Sequence, residues 1–324
     1  MLQRSQQFLH KPMQKWILFF LLLMARTACG QEALAYYQQI NRALVLVAEG
    51  QYASAAQVYQ QVFEASDFVY ARDCIHAVEV AAMARQDALL GFFIRRAMRQ
   101  GVPYSYFERK TGLEAFRTGA YWRTLANDTA QLQAAYHAGI NTSIRKEINA
   151  MFAADQAIRK RYYRWWNFLW RPVIGKKWQQ LNQQQVLRLI EITRTHGFPG
   201  ERLIGIDSPA DHPKVEADKF SAGMPIILLV HHYSHPNPSF DSLWLAEVLK
   251  GNLHNAHFAA ICDYQAEFGK NRYPGFGYVG WLHVPEGHRV GQFQEKRKRI
   301  GLVPEELVLR LIQVEGFSRF WKRI

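Results

Sequence analysis

Cysteine is scarce in this 324-residue chain, with three in all, at positions 29, 74 and 262. Three thiols cannot staple a small secreted scaffold. No CxxC and no dense Cys/His cluster occurs, so a zinc site of the finger type has no sequence basis. Long hydrophobic runs are missing too. The longest, Trp16 to Ala25, has ten residues, and a bilayer-spanning helix needs about 20. Acids are few, 27 against 40 Lys and Arg, giving a net charge of +13. There is no GxSxG, no Walker A and no GxGxxG following a strand, and no elbow surrounds Ser234 or Ser239. Serine or cysteine nucleophilic chemistry therefore lacks a signature, and no motif names a cofactor. The composition, 49% hydrophobic and 21% charged, excludes a collagen-like, disordered or multi-span membrane protein. The length suits two domains of about 100–200 residues each.

The first thirty residues read as an export signal. Arg4, Lys11 and Lys15 make a positive leader, Trp16 to Ala25 an apolar core, and Ala28-Cys29-Gly30 a small-residue cleavage site before Gln31. A lipoprotein signal acylated at Cys29 and an uncut anchor are the alternatives. The expected address is bacterial export, periplasmic or secreted. Cleavage would remove Arg4, Lys11, Lys15 and Arg26 and no acid. The remainder stays basic and suits an anionic partner or surface. Cys74 and Cys262 fall in different expected domains and read as buried free thiols.

Residues 31–138 read as helical hairpins. Ala43 and Ala77 lie 34 residues apart, and Tyr59 and Ile94, like Val62 and Ala97, lie 35 apart. Gly50, Tyr52, Ala55 and Tyr59 fall where a hairpin repeat needs a turn, close helix approach and aromatic filler. This resembles tetratricopeptide repeats over roughly 65 residues. In the second unit Ala84 takes the place of the turn glycine. Residues 103–137 are expected to add an irregular pair that closes the stack. The region either supports the second domain or binds a peptide or protein partner.

Residues 139–324 read as a second, α-rich domain. Asn141-Thr142-Ser143 supplies N-cap chemistry for a helix over 143–169. Gln179 to His196 is amphipathic and is stopped by Gly197-Phe198-Pro199-Gly200. Met224 to His235 suits a helix, preferred over a buried strand because its neighbours are helical. Helices are expected at 240–250, 253–269 and 303–314, with a Gly- and aromatic-rich loop or small hairpin over 269–291. The fold class is mainly α: tetratricopeptide-like hairpins packed on this domain.

Three constellations could carry function. His231 and His235 are i and i+4 on a helix, the spacing at which two imidazoles share a metal. Asp211, His212, Asp241 and Asp263 are the acids and imidazole that could complete such a site. Asp155 and Arg159 are also i and i+4 and can pair. Buried against His232 or Asp263, that pair could position a proton-transfer group. Arg159 to Trp178 carries seven basic residues, seven aromatics and no acid. That mixture suits a membrane surface or a glycan if it faces outward. Otherwise its aromatics pack between the domains. Nucleic acid is not expected as partner of an exported protein. The run Lys296-Arg297-Lys298-Arg299 reads as a solvated helix end.

Asp155-Gln156-x-x-Arg159, His196-Gly197-Phe198-Pro199, Ile204-Gly205, His232, Asp263 and Arg299-Ile300-Gly301-Leu302 occur in one order. Over roughly 145–305 this resembles an uncharacterised bacterial family, domain of unknown function family 6624. The chain departs from that family's pattern at His231, Tyr264 and Pro274 to Gly277. The resemblance implies that Asp155, Arg159, His232 and Asp263 converge in space, and it carries no catalytic role. The reading is an exported binding or scaffolding protein. The alternative is a hydrolase, metal-assisted or not, using the His/Asp/Arg cluster.

Overall fold

The computed structural model describes residues 32–212, 219–232, 238–268, 278, 289–318 and 320. Residues 1–31, expected to be an export signal and including Cys29, lie outside these, as do His235 and nearly all of 269–288. Among the described residues the fold is helical and contains no strand.

Two hairpins open the chain, α1 (32–48) with α2 (Tyr52–Ala65) and α3 (Ala71–Met83) with α4 (Asp87–Arg99). Their turns repeat bond for bond. Gly50 N donates to Val47 O and Gln51 N to Leu46 O. At the same offsets Arg85 N donates to Ala82 O and Gln86 N to Ala81 O. The residue that must turn left-handed is Gly50 in the first (φ 74°) and Arg85 in the second (φ 54°). Sequence spacing puts Ala84 in that place, but the backbone puts Arg85 there. Between the hairpins Tyr59, Phe63 and Phe93 meet edge-to-face with centroids 5.5–6.5 Å apart. Two short helices, α5 (Tyr104–Arg109) and α6 (Glu114–Arg117), lead to α7 (Ala120–Gly139), which packs on α4.

The second half is organised by α8 (Thr142–Tyr163) and α9 (Arg171–His196), which pair across a 3-10 segment, Trp165–Trp170. Asn141 Oδ1 accepts from Ile144 N at 3.0 Å, the cap its side chain promised. Gly197 ends α9 with φ 88°. A Cβ on Gly200 would lie 2.3 Å from Asn252 O, so only glycine fits there. After α10 (Glu201–Ile204), α11 (Met224–His232) lies against α8, α9 and α13 (Asn255–Phe268), and α12 (Pro238–Leu249) packs on α13. The stretch beginning at Met224 is thus a helix, not a strand. Last come α14 (Gln294–Arg299) and α15 (Glu305–Leu311).

Two apolar cores result. Ile148, Phe152, Leu189, Leu229 and Trp244 belong to the second. Leu307, Leu311 and Phe317 return to the first, where the Phe317 ring stacks on His76 with centroids 4.4 Å apart. The basic run is not all solvated: Arg297 is buried, and donates to Val303 O (3.0 Å) and Tyr278 O (2.6 Å). Polar groups stitch the seam between the cores. Glu201 Oε2 accepts from Ala71 N (3.0 Å), Arg72 Nε donates to Lys219 O (2.9 Å), and Tyr70 Oη donates to Gly251 O (3.0 Å). Burial pushes the Glu201 carboxyl up to about 8, against the pull of the Ala71 amide and Arg72.

Two outcomes are expected. Arg85→Gly removes the left-handed strain of a side-chain-bearing residue and raises unfolding free energy by about 1 kcal/mol in denaturant titrations. A raised carboxyl pKa means the folded chain keeps a proton that the unfolded chain has lost. The stability it contributes is full below the ordinary carboxylate range and is lost as pH rises through about 8. The melting temperature of the parent should therefore fall more between about pH 5 and 9 than that of Glu201→Gln, which cannot ionise.

Candidate functional site

On α8, Phe152, Asp155, Gln156 and Arg159 share the inward face that helical spacing gives them. Opposite, α9 presents Trp178, Asn182 and Gln185. The Gln185 amide donates across to Met151 O at 2.7 Å. The last turn of α11 enters beside this pair, and Asn182 Nδ2 donates to the His231 carbonyl at 3.3 Å. His231 is thereby held beside Asp155 and Arg159.

Asp155 and Arg159 do not pair directly. The His231 ring stands between them, with Nδ1 2.8 Å from Asp155 Oδ2 and Nε2 3.0 Å from an Arg159 guanidinium nitrogen. A guanidinium has only donors, so Nε2 must supply a lone pair. Nδ1 then carries the proton and donates it to Asp155. This assigns the neutral Nδ1–H tautomer from the hydrogen-bond network. Asp155 is fully buried, with Trp178 Nε1 donating to Oδ1 (3.0 Å) and Gln156 Nε2 to Oδ2 (2.9 Å). Burial alone would raise its pKa. The hydrogen bonds from His231, Trp178 and Gln156 outweigh burial and hold it below the ordinary value.

The other sequence candidates lie around this trio. The imidazole between Asp155 and Arg159 belongs to His231, while His232 is half-buried next to it, with burial lowering its pKa. Asp263, on α13, is buried and accepts from the Tyr278 backbone amide. Asp211 pairs with Arg145 and accepts from Asn149 Nδ2 at 2.8 Å, so it is a structural link between α8 and the segment after α10. His212 packs edge-on to Phe152 at 4.9 Å. His235 is outside the described residues. Among those described, no group of three or more His, Cys, Asp or Glu could hold a metal. His231 also offers a metal no lone pair in this conformation, since Arg159 occupies it. Sequence spacing alone gave no sign of the His231–Asp155 pair, whose members lie 76 residues apart.

Beyond Asp155 the α8–α9 hairpin leaves the core. Its last buried residue on α8 is Gln156, and no residue of Trp165–Trp170 is buried. Tyr163, Trp165, Trp166, Phe168, Leu169, Trp170 and Val173 are each 52–76% exposed. Lys160, Arg161, Arg164, Lys176 and Lys177 are exposed among them. Five of the seven aromatics, Tyr163, Trp165, Trp166, Phe168 and Trp170, thus face outward and do not fill a space between the cores. The tip is still ordered by local bonds. Asn167 Nδ2 donates to Arg161 O (2.8 Å), and the Arg164 guanidinium stands 5.4 Å from the Trp166 ring centre. Trp178 joins tip to trio, with its ring 5.6 Å from Tyr162 and 6.2 Å from His231.

Replacing Asp155 by Ala strips the partner from three donors, two of them on elements outside α8. The expected loss is about 1–3 kcal/mol of stability, read by denaturant unfolding. Nitrogen-15 spectra of the parent should show His231 as the Nδ1-protonated neutral ring. Comparison of the chain with known proteins finds no matching family model, no matching curated protein and no matching solved structure.

Proposed function

We propose that this chain is a binding protein that rests on an anionic membrane surface through the tip at Arg159 to Trp178. One observation carries this reading: large apolar and aromatic side chains stand exposed among cations, with no acid in the segment. Indole and phenol rings with basic neighbours partition to the headgroup level of a bilayer. Each Lys or Arg near an anionic surface adds about 1 kcal/mol of attraction. Among the described residues no helix is long and apolar enough to cross a membrane, so the reading is of attachment to a surface. A glycan would use the aromatic faces but not the charge excess.

The rest of the proposal follows from this attachment. Export by the 1–30 signal, or lipidation at Cys29, would deliver the chain to such a surface. The paired hairpins of 32–99, taken as tetratricopeptide-like, serve as scaffold or peptide-binding surface. The family likeness over 145–305 belongs to the same proposal. A second reading, hydrolysis with His231 as base, draws on the Asp155–His231 pair. It ranks lower because Arg159 occupies the Nε2 lone pair that a base would use.

Sedimentation with vesicles tests the main reading. The protein should pellet with phosphatidylcholine vesicles that contain phosphatidylglycerol and stay in solution with phosphatidylcholine alone. Raised salt should weaken binding. Trp165→Ala with Trp170→Ala should reduce it by about tenfold or more, the loss of roughly 1.4 kcal/mol or more. Equal partition into both vesicles, or into neither, contradicts the proposal. A self-associating tip would show instead as concentration-dependent dimers by light scattering.

A further inference from the structure

Arg159 differs from the other paired arginines of the second half. Arg188 grips Glu147 with two bonds, of 2.6 and 3.0 Å, and Arg145 pairs with Asp211. Arg159 is half-buried, yet its partner is a neutral imidazole nitrogen, and no carboxylate pairs with it among the described residues. A guanidinium presents a planar fork of donors that matches carboxylate or phosphate oxygens. One hydrogen bond to a ring nitrogen leaves most of that fork unused. The trio is neutral overall, with one carboxylate and one guanidinium, so a further anion meets no net repulsion from it. The exposed cations of the tip stand alongside and favour an anion there.

We infer that Arg159 and His231 form a seat for a phosphomonoester group, presented by the headgroup of an anionic lipid. The inference rests on the membrane reading of the tip. The chemistry of the two side chains selects the monoester. His231 Nδ1–H is committed to Asp155, so Nε2 can only accept. Near neutral pH a phosphomonoester exists partly as the monoanion, which carries one P–O–H, because its second pKa is about 6. That hydroxyl donates to Nε2, while the guanidinium moves from Nε2 to the ionised oxygens. A phosphodiester has no hydroxyl to donate and satisfies Arg159 alone. Asp155 acts here as a positioning residue: it fixes which ring nitrogen is the acceptor.

The test compares full-length protein on phosphatidylcholine vesicles doped with phosphatidic acid or with phosphatidylglycerol, at matched surface charge. The parent should bind the phosphatidic acid vesicles about tenfold tighter, the worth of roughly one charge-assisted hydrogen bond. Arg159→Gln and His231→Gln should bring that ratio to about one. Arg159→Lys, which keeps the charge and loses the fork, should lower it part-way and guards against a variant that misfolds. Trp165→Ala should weaken binding to both vesicles alike and leave the ratio. A parent ratio of one, or a ratio kept in Arg159→Gln, overturns the seat. If the parent binds neither vesicle, the membrane reading has failed, and inorganic phosphate becomes the probe. A phosphate-dependent shift of the His231 ring nitrogens, absent in Arg159→Gln, would keep the seat with free phosphate as its ligand. No shift would overturn the seat as well.

Discussion

The buried carboxylate of Asp155 is the point at which the α8–α9 hairpin changes from core to surface. An ionised carboxylate out of water costs several kcal/mol unless donors surround it. Here the donors come from three elements: Gln156 on α8, Trp178 on α9 and His231 on α11. The carboxylate therefore fixes how these helices meet, because moving any of them leaves a buried charge short of a partner. On one side of it Ile148, Phe152 and Leu189 are buried. On the other, no residue of α8 from 157 onward is fully buried, and the hairpin tip carries exposed indoles. The projecting part of α8, residues 157–163, is about 10 Å long at the usual helical rise.

The same device, polar groups bridging apolar layers, joins the halves of the molecule. Glu201 caps the start of α3 through the Ala71 amide, although it lies in the second half. Glu247 does the equivalent at the end of α9, accepting from Phe198 N at 2.9 Å and Asn252 Nδ2 at 2.8 Å. Glycine marks the closest approaches. A Cβ on Gly205 would come within 2.1 Å of the Tyr136 hydroxyl, so α7 and the end of α10 meet only because that atom is missing. These are directional constraints. They specify one arrangement of the two cores where apolar contact alone would accept several.

Local chemistry was legible in the sequence where it is decided locally. Asn141 announced its cap, Gly197 and Gly200 announced the end of α9, and Met224 to His232 was legible as a helix. The repeat of the hairpins was visible, but its turn residue was not. Spacing pointed to Ala84, and the backbone uses Arg85, because nothing in the residue type marks an arginine as left-handed. Long-range partners were hidden for the same reason. Helical spacing put Asp155 beside Arg159, and no periodicity could say that an imidazole 76 residues away would come between them. The family resemblance put His232 with Asp155 and Arg159, and the rotation of α11 brings His231 between them instead. The return of Leu307 and Phe317 to the first core was hidden too, since an amphipathic helix does not name the face it will cover. The aromatic and basic composition of 159–178 was plain. Its exposure depended on where the hairpin leaves the core.

The claim that this tip meets a membrane is tested most directly by a depth measurement. A nitroxide is placed on Leu169→Cys, in a chain with Cys29 replaced by Ser. Cys74 and Cys262 are buried and so are poor labelling sites. A second label on Gln60→Cys, half-exposed on α2, serves as the aqueous control. With anionic vesicles present, the label at 169 should gain oxygen accessibility and lose accessibility to a water-soluble nickel chelate, at a depth of about 5–10 Å below the headgroups. The label at 60 should remain in water. A label at 169 that stays aqueous while the protein is vesicle-bound, or a label at 60 that enters the bilayer, would contradict the account.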